Sequence, residues 1–248
     1  MPVLEIHLDP EESVIAVAGE LSWMTASIDL HTTTQHGGGG GFFGALKRVV
    51  GGGSLFMTEY TARGTAGTVA FAAKLPGHIV PVTVQPGQEY MIHRHGFLCA
   101  TPQAELTVGF QQSLGAGIFG GDGFILQRLA GNAQAWVELG GETVVYDLRP
   151  GETLRVHPGH VGMFETRVNF DITRIKGIRN MLFGADGIFL AELTGPGKVW
   201  LQTLTMSNLA HALIPYLPAG GDRSPATNAG AGAIVGGVIG SLLSGDNN

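Results

Sequence analysis

The stretch Phe119–Leu139, FGGDGFILQRLAGNAQAWVEL, returns at Phe183–Thr203 as FGADGIFLAELTGPGKVWLQT. Setting Gly123 on Gly187, a shift of 64 positions, places Phe119, Asp122, Leu126, Leu129, Gly131 and Trp136 on Phe183, Asp186, Leu190, Leu193, Gly195 and Trp200. An earlier copy, GGGSLFMTEYTARG from Gly51, keeps the turn glycines and the apolar run but lacks the tryptophan. These three copies form a half-module, A. A second half-module, B, precedes two of them: PGQEYMIHRHGFLCATPQAELTV from Pro86 and PGETLRVHPGHVGMFETRVNFDI from Pro150, again 64 apart. Pro-Gly sets a turn, and alternating apolar residues follow as a strand. Tyr90 and Ile92 thereby align with Leu154 and Val156.

The N-terminal stretch DPEESVIAVAGELSWMTASIDL supplies a third B: Pro10 on Pro150 brings Val14 onto Leu154, Gly19 onto Gly159 and Ile28 onto Val168. The order B-A-B-A-B-A is then read as a ring in which the first B completes the last A. Closure of that kind removes exposed sheet edges. The competing reading is three unrelated β-sandwich segments that share turn chemistry. One shift serving both halves favours the repeat.

Composition agrees. Glycine supplies 40 of 248 residues, about 16%, against a usual level of about 7%. Glycine in element interiors costs entropy, so this abundance belongs to turns between many short strands. The expected fold is all-β: three pseudo-repeated short double-stranded β-helix or β-sandwich modules in a closed pseudo-threefold ring, with a C-terminal helical tail. The expected boundaries are a triplicated β core over 1–218 with a Gly-rich insertion at 36–53, a linker at 219–228, and a Gly-zipper tail at 229–248. Near the end of the core, TMSNLAHALIPYLP reads as a short helix capped by Ser207 or Asn208 and ended by proline.

Charged residues make up only 14% of the chain and the net charge is −6, which argues against a phosphate-backbone binder. Cys99 is alone, so no internal disulfide framework exists. The N-terminus has neither a basic nor an apolar leader region, and a cytoplasmic setting is expected.

Two segments outside the repeat suggest contacts. In HGGGGGFFGALKRVVGGG, Phe42, Phe43, Leu46 and Val50 have helical spacing. In the tail, Gly232, Gly236, Gly240 and Ser244 recur every four residues, the small-residue stripe that lets helix backbones approach closely.

Together the A modules, the GGGGGFFGALKRVVGGGSLF segment and the zipper tail resemble a bacterial family related to the mitochondrial "altered inheritance of mitochondria" protein twenty-four. The resemblance covers residues 2–218 and the tail. It implies a triplicated form of the tryptophan RNA-binding attenuation protein fold, and no reaction. Mitochondrial relatives imply a setting near membrane organisation.

The chemistry-bearing candidates are few. GQEYMIHRH, ending at His93 and His95, fits the first half of a cupin metal motif, and His157 and His160 lie in the matching half-module. Neutral imidazoles two apart on a strand share a face and bind divalent metal. Against this, the motif's acid is missing until Glu105. Strand alternation also puts His157 with Thr153 and Arg155 on the solvent face. Nucleophile and phosphate-loop motifs are absent, and no cofactor is expected. Cys99 reads as a small buried hydrophobe, and Trp136 and Trp200 read as core.

Arg149, Arg155, Arg167, Arg174, Lys176 and Arg179 gather in one stretch as a candidate anion or lipid-headgroup patch, with a solvated rim as the plainer reading. The expected function is that of a non-enzymatic assembly or scaffold protein, through self-association or a protein partner, with a membrane surface as a further partner. The alternatives are a cupin-like metal enzyme using the four histidines, and a small-ligand or RNA sensor. Nucleic acid is the weakest partner, because it rests on fold analogy alone.

Overall fold

The computed structural model describes residues 1–34, 56–112, 123–175 and 188–216. Over these residues the chain is almost entirely β. Its strands fall into one six-strand unit used three times. The first module holds β1 (Val3–Leu8), β2 (Ser13–Val17), β3 (Trp23–Met24), β4 (Ile28–Thr34), β5 (Phe56–Ala62) and β6 (Gly67–Ala72). The second holds β7 (Gly77–Val84), β8 (Tyr90–His93), β9 (Phe97–Ala100), β10 (Ala104–Gln112), β11 (Phe124–Gly131) and β12 (Ala133–Gly140). The third holds β13 (Thr143–Leu148), β14 (Thr153–Val156), β15 (Val161–Glu165), β16 (Asn169–Ile175), β17 (Ile188–Thr194) and β18 (Gly197–Gln202). A helix, α1 (Met206–Leu213), follows.

Pairing repeats with the unit. The first strand of each module pairs with the sixth, as β1–β6, β7–β12 and β13–β18. The second pairs with the fifth, as β2–β5, β8–β11 and β14–β17. Neighbouring modules are stitched by one further ladder. Ile15 and Ala16 of β2 pair with Ala100 and Cys99 of β9, and Tyr90, Met91 and Ile92 of β8 pair with Glu165, Phe164 and Met163 of β15. Two six-stranded sheets result, each shared by two modules, β4-β5-β2-β9-β12-β7 and β10-β11-β8-β15-β18-β13.

In each module the same turn links the first strand to the second. The amide of the residue after the turn donates to the carbonyl three residues back, as Glu12 to Asp9, Gln88 to Gln85 and Glu152 to Arg149. Gly87 and Gly151 take positive φ there, and Glu11 does so in the first module at +68°. Glu11 holds that backbone while its carboxylate binds Arg63 at 2.8 Å and accepts from the amide of Gly64.

Two expectations are corrected. The first B does not complete the last A: β2 pairs with β5 of its own module, so each B joins the A that follows it. The ring is also not closed by strand pairing. The third shared sheet would join β14 to β3, but those strands stay in two separate three-stranded sheets, β14-β17-β16 and β1-β6-β3.

The side chains give the reason. At the two formed joints, the position that crosses into the next module's core is apolar, Ile15 or Met91. At the third it is Arg155, which is exposed and bonded to Glu192. On the other edge, at the place where the other modules put Cys99 and Met163 against the residue after this one, β3 carries the bulky Trp23 and is only two residues long.

Three apolar clusters follow the modules. The middle one includes Tyr90, Ile92, Leu129 and Val137 and takes Ile15 and Met57 from the first module and Met163 from the third. Strand alternation sends neighbours to different clusters: Val14 and Ala16 to the first, Ile15 between them to the middle one.

Candidate functional site

The joint between modules one and two is polar at its end. Lys74, just after β6, places Nζ 2.7 Å from Glu20 Oε2 and 2.9 Å from Glu138 Oε1. Its backbone amide donates to the other oxygen of Glu138 at 2.7 Å. Burial alone lowers the Lys74 pKa, but the bonds to Glu20 and Glu138 outweigh it and hold the ammonium above its ordinary value. At the next joint the same place is neutral: the Gly140 amide donates to the Gln202 side chain at 3.0 Å, and Gln202 Nε2 donates to the carbonyl of Gly159. A carboxylate stands where a lysine approaches, and an amide where a glycine does.

The histidines belong to these joints. His93 Nε2 lies 3.1 Å from the carbonyl of Glu138, and His160 Nδ1 lies 2.8 Å from the carbonyl of Gln202. Burial, with His95 and Lys74 nearby, pushes the His93 pKa down to about 4. His95 sits beyond the end of β8 in a turn, so the two imidazoles do not share a strand face. His157 is exposed, as are Thr153 and Arg155. Its Nδ1 accepts from the Gly159 amide at the start of a single 3-10 turn, with the His160 ring 5.9 Å away. His93 and His95 thus stand in one module and His157 and His160 in the next. Among the described residues, no three His, Cys, Asp or Glu side chains come together to hold a metal. Cys99 is buried in the first cluster, and burial pushes its thiol far up.

Within the arginine stretch, two of the described guanidinium groups are taken up by carboxylates. Arg155 is bound to Glu192 at 2.8 Å and Arg167 to Glu165 at 2.6 Å. The amide of Arg149 donates to Glu152. Arg174 lies on β16, while Lys176 and Arg179 fall outside the described residues. So do Phe42, Phe43, Leu46 and Val50 of the insertion, the linker at 219–228, and Gly232, Gly236, Gly240 and Ser244 of the tail.

Sequence reasoning missed two features. One is the tryptophan of the first module. Trp136 faces Cys99 and Trp200 faces Met163 across the inner ladders, and in module one the pair is reversed, with Trp23 facing Ala70. The ring is kept while its strand changes, so an alignment of A copies alone finds it absent. The other is a set of uncovered apolar residues. Val144, Val145 and Tyr146 on edge strand β13 are 41%, 51% and 43% exposed. Helix α1 buries none of its residues, leaving Met206 and Leu213 exposed. Thr205 caps that helix by accepting from the Asn208 amide, so the cap lies two residues before Ser207. Among the described residues no helix is long and apolar enough to cross a membrane.

A family model described as mitochondrial biogenesis AIM24 matches residues 1–204. The chain belongs to the AIM24 family. An uncharacterized protein of Streptococcus pyogenes serotype M6 is 24% identical over 220 residues, covering 88% of this chain and 87% of that one. A crystal structure of a Streptococcus pyogenes protein superposes with a TM-score of 0.68 at 24% identity, over 87% of this chain and 94% of that one. At that identity the likeness supports the fold. The polar joints and the uncovered strand are features of this chain's own residues.

Proposed function

We propose that this AIM24-family chain is a non-enzymatic assembly protein that works through protein–protein contacts. The supporting observation is the edge strand β13. Natural sheets guard their edges with charge or proline. The equivalent edge strand β7 carries Pro81 opposite Trp136, and β1 carries Glu5 opposite Ala70. On β13 the same place, opposite Trp200, is Val145, flanked by exposed Val144 and Tyr146. At this place one of three equivalent edges carries an apolar residue where the others carry proline or a carboxylate, Asp147 alone keeps a charge on the strand, and apolar surface lies on both faces, which favours an edge made to be covered. The bare helix α1 leaves β18, the strand beside it, and adds to the reading.

The test is light scattering of the full chain against Val145→Pro and against Leu213→Lys with Tyr146→Lys. Pro81 indicates that a residue without an N–H is accommodated at this place, so the proline variant keeps its fold. A particle larger than one chain of 25.9 kDa that shrinks in either variant supports the proposal. A single-chain mass at all concentrations, with no protein retained on the immobilised chain, overturns it. Flotation with anionic vesicles that is lost in the same variants would assign the surface to a membrane instead.

A further inference from the structure

We infer that the two unjoined strands of the third seam, β3 and β14, are a head-to-tail binding surface for a second copy of this chain. The inference rests on the assembly reading and names its surface. Two joints of one design already exist in the molecule, a second strand of one module laddered to the third strand of the next. The chain ends with one unused second strand, β14, and one unused third strand, β3. By strand pairing the repeated joint does not return to its origin, and the complementary ends it leaves on one molecule are of the kind that join different copies.

The residue register of the missing joint follows from the two that are formed. Ala16 opposite Cys99 and Ile92 opposite Met163 predict Val156 opposite Trp23. Ile15 opposite Ala100 and Met91 opposite Phe164 predict Arg155 opposite Met24. The state of the two edges agrees. Trp23 is 49% exposed and its indole donates to Glu5 at 3.3 Å. Its counterpart Trp200 is half-buried and lies edge-on to Tyr90, with ring centroids 6.1 Å apart. The residue equivalent to Tyr90 on β14 is Leu154, half-buried and on the face where Trp23 of the incoming copy lies. Arg155 keeps its guanidinium on Glu192, so its stem can lie over Met24 while the charge stays in water.

Single-cysteine chains test this in the full-length protein. Met24→Cys and Arg155→Cys are made separately, mixed and oxidised. Directly opposed residues of antiparallel strands lie about 4.5–5.5 Å apart at Cα, within disulfide range. Buried Cys99 stays out of the reaction. The expected result is a covalent dimer that requires both chains and falls several-fold when Trp23→Ala is added to the Met24→Cys chain. No dimer from the mixture overturns the inference. So does a chain carrying both cysteines that links only within itself, because the two edges then close in one molecule. Light scattering on the unaltered chain separates the levels. A particle larger than one chain without the cross-link sinks only this seam, whereas a single-chain mass sinks the assembly reading too.

Discussion

His93 couples stability to pH. Its pKa is pushed down from 6.5 to about 4, chiefly by burial. Above pH 6.5 the ring is neutral in both states; between 6.5 and 4 the unfolded chain binds a proton that the folded chain refuses. Stability therefore falls as the pH falls through that window. At about 1.4 kcal/mol per pK unit, the loss by pH 4 is on the order of 2–3 kcal/mol. His95 and Lys74 face the ring and add in the same direction, and His95, itself lowered chiefly by burial, leaves a residual slope. Denaturation at pH 7 and 4.5 is expected to show the drop, and His93→Gln, whose amide can still donate to the Glu138 carbonyl, to reduce it. An unchanged slope in the variant would assign the dependence elsewhere. A second residue-scale prediction separates strain from crowding. Gly131 and Gly19 both take positive φ, at +108° and +94°, but a Cβ on Gly131 would collide with the Gln103 carbonyl while one on Gly19 meets nothing. Alanine at Gly19 should cost about 1 kcal/mol and at Gly131 at least about 2–3 kcal/mol. Equal costs in urea melts would mean that crowding contributes nothing.

At the scale of elements, the first joint depends on one lysine. Glu138 is 8% exposed and Glu20 14% in their side chains, and Lys74 lies between them. Removing the cation leaves two largely buried carboxylates unpaired, so Lys74→Ala should cost about 3–5 kcal/mol. Lys74→Met with Glu20→Gln and Glu138→Gln should recover most of that, since a neutral amide serves at the second joint through Gln202. Thermal melts of the single and triple variants decide it: a triple variant no more stable than Lys74→Ala removes the electrostatic account. The elements also show what was legible. Pro86-Gly87 and Pro150-Gly151 announced two modules because a turn with positive φ leaves a glycine behind. The first module keeps the proline at Pro10 but has Glu11 in place of the glycine, and Glu11 adopts that φ with its side chain tied to Arg63. Strand existence was readable from local chemistry. Which B pairs with which A was not, because all B copies are alike enough to fit any A, and only long-range packing chooses. The polar joint was equally hidden, since Lys74 lies outside the repeated positions and Glu20 falls on His160, a different residue type, in the aligned copy.

At the scale of the molecule, the open seam makes the three modules unequal. The middle module is laddered on both sides and its cluster draws residues from both neighbours. Each outer module is laddered to it on one side only, and each keeps a three-stranded sheet with a free edge. In such an array, stability is a sum of module terms and joint terms, so a unit with two joints opens less often than a unit with one. Native-state hydrogen exchange should therefore be slowest in β8, β9 and β12, with amides of β3 and β14 opening at markedly lower free energy. Arg155→Ile restores the apolar residue that the other joints carry at this position, as Ile15 and Met91, and so removes the charge that guards β14. If the edges are complementary, that change should slow exchange in both β3 and β14, and more so at high protein concentration, where copies meet. Protection that rises in both strands independently of concentration would mean that the seam closes within one chain. Protection equal to that of β9 in the unaltered protein would mean that it is already closed, and that Arg155 on β14 and Trp23 on β3 are no obstacle.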